Sequence, residues 1–154
     1  MARLCLTSLI NRMNLYGAIL ANVINITAIS IFIARLLGES EIGHWIGIII
    51  QVSIIPLFYL LHSARSLNRI KIYYIWIGLM IAFIIVEFLL DWYPKINFRN
   101  NLMIVVPYVM LFFGATGGMI GVASLAGKRW TVITIISFLI MLVLAFVQRQ
   151  ITGL

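Results

Sequence analysis

The chain has 154 residues, 64% of them hydrophobic and only 10% charged, with a formal net charge of +7 and a mean hydropathy of +1.14. A soluble domain carries about a quarter of its residues as charged side chains, so this composition excludes a water-soluble globule: the polar surface to cover one is missing. The positive charge lies between apolar runs, where it acts on membrane orientation and lipid headgroups and does not point to nucleic acid.

Residues 1–14 carry Arg3, Asn11, Arg12 and Asn14, with Leu6, Leu9, Ile10 and Met13 at helical spacing. This pattern predicts a short amphipathic lead-in lying at the interface. Cys5 is the only cysteine, so no intramolecular disulfide is available. Each membrane-spanning helix takes about 20 apolar residues, and five runs qualify. The first, about 15–37, stops at Gly38 before Glu39, Ser40 and Glu41. The second, about 42–61, holds Pro56, which predicts a kink. The third covers about 72–90 and is followed by Asp91-Trp92-Tyr93-Pro94-Lys95. The fourth covers about 102–125, and the fifth, about 130–147, follows Gly127-Lys128-Arg129. Tyr73, Tyr74, Trp76, Trp92, Tyr93 and Trp130 stand near span ends, as an interfacial aromatic belt requires. The runs are too long and too continuous for β-barrel strands. The fold class is therefore all-α: one domain, 1–154, forming an integral membrane bundle of five helices.

Orientation follows from the basic residues. With the N-terminus in the cytoplasm, that side receives Arg3, Arg12, Arg65, Arg69, Lys71, Lys128 and Arg129. The other side receives Arg35, Lys95, Arg99 and Arg149, and the C-terminus lies outside. A compact multi-pass chain of this kind suits a prokaryotic plasma membrane.

Lipid tails are as apolar as Leu, so small residues that let backbones approach drive helix association in a bilayer. The fourth span has two offset G-x-x-x-G pairs, Gly114 with Gly118 and Gly117 with Gly121. The first span carries Gly17, Ala21 and Asn25 four residues apart. The expected tight pair is span one on span four, and span five is the least specified. The lipid bilayer is one partner. A second copy of the chain, or a subunit of a membrane complex, is the other candidate.

Amides and hydroxyls inside spans should face other helices. Asn25, Gln51 and Thr116 fall near the midplane and are expected to share a hydrogen-bonded network, with Asn22, Thr134 and Ser137 also inside spans. Glu87 is the acid clearly within a span. Asp91 is four residues on, on the same face of an α-helix, and Arg35 and His44 belong to the same end. Arg35 and Glu87 form a candidate ion pair, and Glu87 with Asp91 are candidate functional acids. His44, Glu87 and Asp91 are a metal-ligand set by type, but they come from different spans with no paired spacing, so no metal and no other cofactor is expected.

Nucleotide-binding glycine loops, G-x-S-x-G and H-E-x-x-H are all missing from the sequence. The W-x-P-P signature of the tryptophan-rich sensory family is missing too, and the first span has asparagines where small multidrug transporters carry a glutamate. The leading expectation is a non-enzymatic membrane protein acting through helix and lipid contacts. The alternative is a small oligomeric transporter or channel that uses Glu87, Asp91 and the Asn25–Gln51–Thr116 belt.

Overall fold

The computed structural model describes the backbone of residues 2–92 and 102–152, and the side chains of all of these except 2–6, 40, 91, 92 and 152. All regular structure among the described residues is helical: α1 (Ala2–Leu36), α2 (Ser40–Val52), α3 (Ile54–Ser66), α4 (Lys71–Glu87), a π-helical turn (Phe88–Trp92), α5 (Leu102–Ser124) and α6 (Lys128–Thr152). Among the described residues, five helical stretches are long and apolar enough to cross a membrane: Thr7–Leu36, Glu41–Ser66, Lys71–Leu90, Leu102–Ser124 and Lys128–Ile151. The loop containing Tyr93, Pro94, Lys95 and Arg99 falls outside the described residues.

Two boundaries differ from expectation. The lead-in is not a separate segment lying flat. Its helical periodicity continues into the first span without a breaker, and α1 runs unbroken for 35 residues, about 52 Å at 1.5 Å per residue. The second span is interrupted one residue before α3, not merely bent at Pro56. Proline has no N–H to offer the carbonyl four residues earlier, which here belongs to Val52, the last residue of α2. Ser53 covers the gap. Its N–H bonds back to Ile49 and Ile50 carbonyls at 3.1 Å each, and its hydroxyl donates to the Ile49 carbonyl at 2.7 Å.

The turns have a common chemistry. After α1, Glu39 N–H reaches the Ala34 carbonyl (2.9 Å) and Gly38 N–H the Arg35 carbonyl (3.2 Å). This is the paired closure of a Schellman motif, which needs a left-handed residue just past the helix. Gly38 supplies it at φ +83. The same closure ends α3, with Arg69 N–H on Ala64 and Asn68 N–H on Arg65, and there Asn68 takes φ +48. Asparagine is one of the few side chains that tolerate this region.

α1 lies against α6, α2 and α5. Its longest interface is with α6, while α4 is matched to α5 and α3. The span that looked least specified is therefore the main neighbour of the first. The expected pair of spans one and four does touch, but it is not the dominant contact. Alanines do much of the close packing: Ala18 and Ala21 on α1 and Ala115 and Ala123 on α5 are fully buried, with Ile77, Met80, Met119 and Met141 around them. The outward faces are apolar as well. Ile55, Met110 and Val143 are 68%, 70% and 57% exposed.

Candidate functional site

Three helices finish at the end of the bundle where Arg35 lies, and α5 begins there. Arg35 stands in the last turn of α1, Arg149 in the last turn of α6, and Glu87 is the last residue of α4. All three line one cavity of about 170 Å³, together with Gln148 and Tyr108. Glu87 has a buried carboxylate oxygen. A helix C-terminus carries partial negative charge, which favours cations and disfavours an acid. Arg35 and Arg149 suit their positions on that ground alone. Glu87 is followed directly by the π-helical turn, so it stands inside a continuous helical run, with the two guanidiniums lining the same cavity.

Below the charged end the lining is aromatic. Phe83 and Phe112 have ring centroids 5.2 Å apart, Phe83 and Tyr108 5.7 Å, and Phe32 meets Phe112 edge-on at 6.1 Å. Edge-on and tilted pairs at these distances are the favoured ring geometries. They join α1, α4 and α5 into the walls. The exposed residues Phe146, at 58%, and Arg149 mark where the cavity reaches the surface beside α6.

Arg35 and Glu87 line the same cavity. Neither His44 nor Asp91 is among the described residues that line this cavity. His44 is exposed on α2 and does not line the cavity. Asp91 falls in the π-helical turn, where one winding takes more residues than in an α-helix. Its side chain, and with it the expected pairing with Glu87, lies outside the described residues. Among the described residues no three His, Cys, Asp or Glu side chains converge as metal ligands. Sequence reasoning missed Tyr108, Gln148 and Arg149. Gln148 is 8% exposed, and its spacing from Thr134, Ser137 and Met141 along one α6 face was the available signal.

The midplane polar residues pair differently from expectation. Asn22 donates through Nδ2 to the Thr134 hydroxyl at 2.8 Å. Asn25 donates to the Ser137 hydroxyl at 2.9 Å, and Ser137 donates to Asn22 Oδ1 at 3.3 Å. The result is a buried polar seam between α1 and α6. Thr116 turns inward on its own helix, to the Phe112 carbonyl at 2.7 Å. Gln51 is half-buried on α2, and the buried Asn25 Oδ1 has no hydrogen-bond donor among the described residues. The three-residue network of Asn25, Gln51 and Thr116 is therefore not formed. Thr134 and Ser137 also bond their own helix carbonyls, at Trp130 (2.8 Å) and Thr134 (3.0 Å), so losing an asparagine leaves neither hydroxyl stranded. A double-mutant cycle between Asn22→Ala and Thr134→Ala should accordingly return a coupling of only about 0.6 kcal/mol, the usual value for such bonds in membrane proteins, read by denaturation in mixed micelles.

The small-residue stripe of α5 also has an unexpected partner. A Cβ added at Gly118 would meet Trp76 of α4 at 3.1 Å from its ring and 3.4 Å from its Cα. At Gly121 it would come to 2.5 Å of the Trp76 ring. Gly114 and Gly117 have nothing within 4 Å of an added Cβ. On α1, Gly17 does face α5, with Val122 Cγ1 at 2.8 Å, and Ala21 is fully buried. Gly118 and Gly121 therefore accommodate Trp76, not span one, and Trp76 is a packing residue and not simply a member of an interfacial belt.

At the opposite end, Asn14 ties three elements. Its Nδ2 donates to the Leu125 carbonyl just past α5 at 2.9 Å, and its Oδ1 accepts from the Arg69 guanidinium. Arg69 also sits over the Tyr73 ring, 5.4 Å from the centroid.

These features define a class: among the described residues the regular structure is all helical, with five helices long and apolar enough to span a membrane and a charged, aromatic-lined cavity at one end. No family model, curated protein or solved structure matches the chain.

Proposed function

We propose that the chain is an integral membrane protein of five spans that acts through helix and lipid contacts and not by catalysis, alone, as a homo-oligomer or as a subunit of a membrane complex. A prokaryotic plasma membrane suits it. The observation that supports this reading is the division of side chains. Large apolar residues such as Ile55, Met110 and Val143 face outward, while Asn22, Asn25, Thr134 and Ser137 hydrogen-bond one another inside. A soluble protein rarely leaves apolar patches of more than a few hundred Å² exposed, and hydrocarbon is the solvent that favours this arrangement.

The proposed orientation places the N-terminus in the cytoplasm. Arg12, Arg65, Arg69, Lys71, Lys128 and Arg129 then face inward and the Arg35 end faces out, in line with the positive-inside rule. Reporter fusions test both claims. A C-terminal fusion to an enzyme active only outside the cytoplasm should be active, and the same fusion at residue 68 should be inactive. The reverse pattern would overturn the orientation, and release of the untagged chain by alkaline carbonate would overturn membrane insertion.

A second reading, a small transporter or channel, draws support from the cavity holding Glu87, Arg35 and Arg149. Under it, Glu87→Gln abolishes uptake while the protein still folds. Unchanged uptake removes Glu87 from the mechanism.

A further inference from the structure

We propose that the cavity at the Arg35 end binds a single-chain amphiphile with an anionic headgroup, the chain lying among the aromatic rings and the headgroup against Arg149 and Arg35. The inference rests on the membrane reading, and it adds a ligand class and a binding pose to it.

Size sets the first limit. An apolar cavity of about 150 Å³ holds one benzene molecule, and this one is about 170 Å³. That is room for a segment of one hydrocarbon chain and not for two chains side by side. Lining chemistry sets the second. Phe32, Phe83, Phe112 and Phe113 form walls that offer no hydrogen bonds, so a polar solute would lose its hydration there without replacement. Small-molecule sites commonly combine such walls with a few polar groups that fix orientation.

Charge sets the third limit. Arg35 and Arg149 face one carboxylate, Glu87, around this cavity. Among the described residues that line the cavity, the guanidiniums outnumber the carboxylates by one. Arg149 is exposed, so it can meet a headgroup at the rim while the chain enters beside Phe146. A guanidinium presents a planar fork of donors that matches carboxylate or phosphate oxygens. Gln148, buried at 8% exposure, adds an amide to the same end. The same headgroup chemistry could arrive on a free fatty acid or on a lipid of the surrounding bilayer.

The test uses the full chain in maltoside micelles at pH 8, read by native mass spectrometry, with dodecanoate, dodecyltrimethylammonium and inorganic phosphate as probes. Dodecanoate should bind saturably with one molecule per chain. Arg149→Gln, at an exposed position, should keep the fold and weaken binding by about tenfold or more, as loss of a charged hydrogen bond does. Ala145→Phe, which fills the cavity, should abolish binding. Equal or tighter binding of the cationic probe would overturn the proposal in favour of an acid site centred on Glu87. Phosphate binding as well as dodecanoate would reduce it to an anion contact without a chain pocket, which also overturns it. No saturable binding by the folded protein would leave Arg149 as a helix-end charge alone. Displacement of dodecanoate by the single-chain lipid lysophosphatidylglycerol supports a bilayer source, and its persistence supports a free amphiphile. Failure of the membrane reading is distinguishable, because it appears as wild-type chain that does not fractionate with membranes, whatever dodecanoate does.

Discussion

Replacing Gly118 with Leu should pull α4 away from α5 and leave little folded protein to purify. An added Cβ at this position already meets the Trp76 ring at 3.1 Å and its Cα at 3.4 Å. A ring can turn aside, but a backbone atom moves only if the whole helix moves. Leucine adds three further carbons to that space. Overpacking a well-filled interface costs about 1–3 kcal/mol and sometimes more, and here the strain falls on one of the two longest interfaces in the bundle. We expect the upper end of that range or beyond, read as a lowered thermal midpoint by near-ultraviolet circular dichroism in micelles. Gly117→Leu is the matched control. Nothing lies within 4 Å of its added Cβ, so its stability should stay within about 0.5 kcal/mol of wild type, as surface changes do. Equal damage from both substitutions would mean that Trp76 is not what distinguishes them.

Asn14→Leu should be the second most damaging single change. It removes the acceptor from the Arg69 guanidinium and the donor from the Leu125 carbonyl together. Arg69 Nε is buried without an acceptor among the described residues, so this guanidinium has little alternative hydration to fall back on. Hydrogen bonds to charged groups contribute about 1.5–3 kcal/mol, and a loss in that range is expected in chemical denaturation. The pair Asn14→Leu with Arg69→Leu should recover part of the loss, because the stranded charge goes with its partner. If the double variant is as unstable as the sum of the two single variants, the contact has no coupling and the network reading is wrong.

The amino-acid pattern shows some of this and hides the rest for a physical reason. The five apolar stretches are plain because hydropathy and length report on the solvent a helix prefers. Gly38 as the end of the first helix was equally plain, because few residues adopt the left-handed conformation that closes it. Arg35 and Glu87 could be placed at one end by depth alone. What depth cannot report is direction around the helix axis. Where lipid and protein interior are both apolar, the inward and outward faces of α5 read alike, so Gly118 and Gly114 looked equivalent although only one meets Trp76. The partner of Asn25 was hidden similarly: Ser137 and Thr116 are both hydroxyls inside spans, and the α1–α6 interface decides between them. The break before Pro56 was half visible. The proline showed that a hydrogen bond would be missing, but the effect falls four residues upstream, at Val52.

The seam between α1 and α6 has a consequence for how the chain is made. Asn22 and Thr134 are 112 positions apart. At about 5–20 residues per second, the ribosome delivers the second roughly 6–22 s after the first. Throughout that interval the leading helix presents two amides whose eventual partners have not been synthesised. A nascent chain in that condition is a client for whatever holds unfinished helices at the insertion machinery. A chain truncated before Lys128 lacks both partner hydroxyls, Thr134 and Ser137, so it should be degraded faster than the full chain in a pulse-chase even though four of its spans are intact.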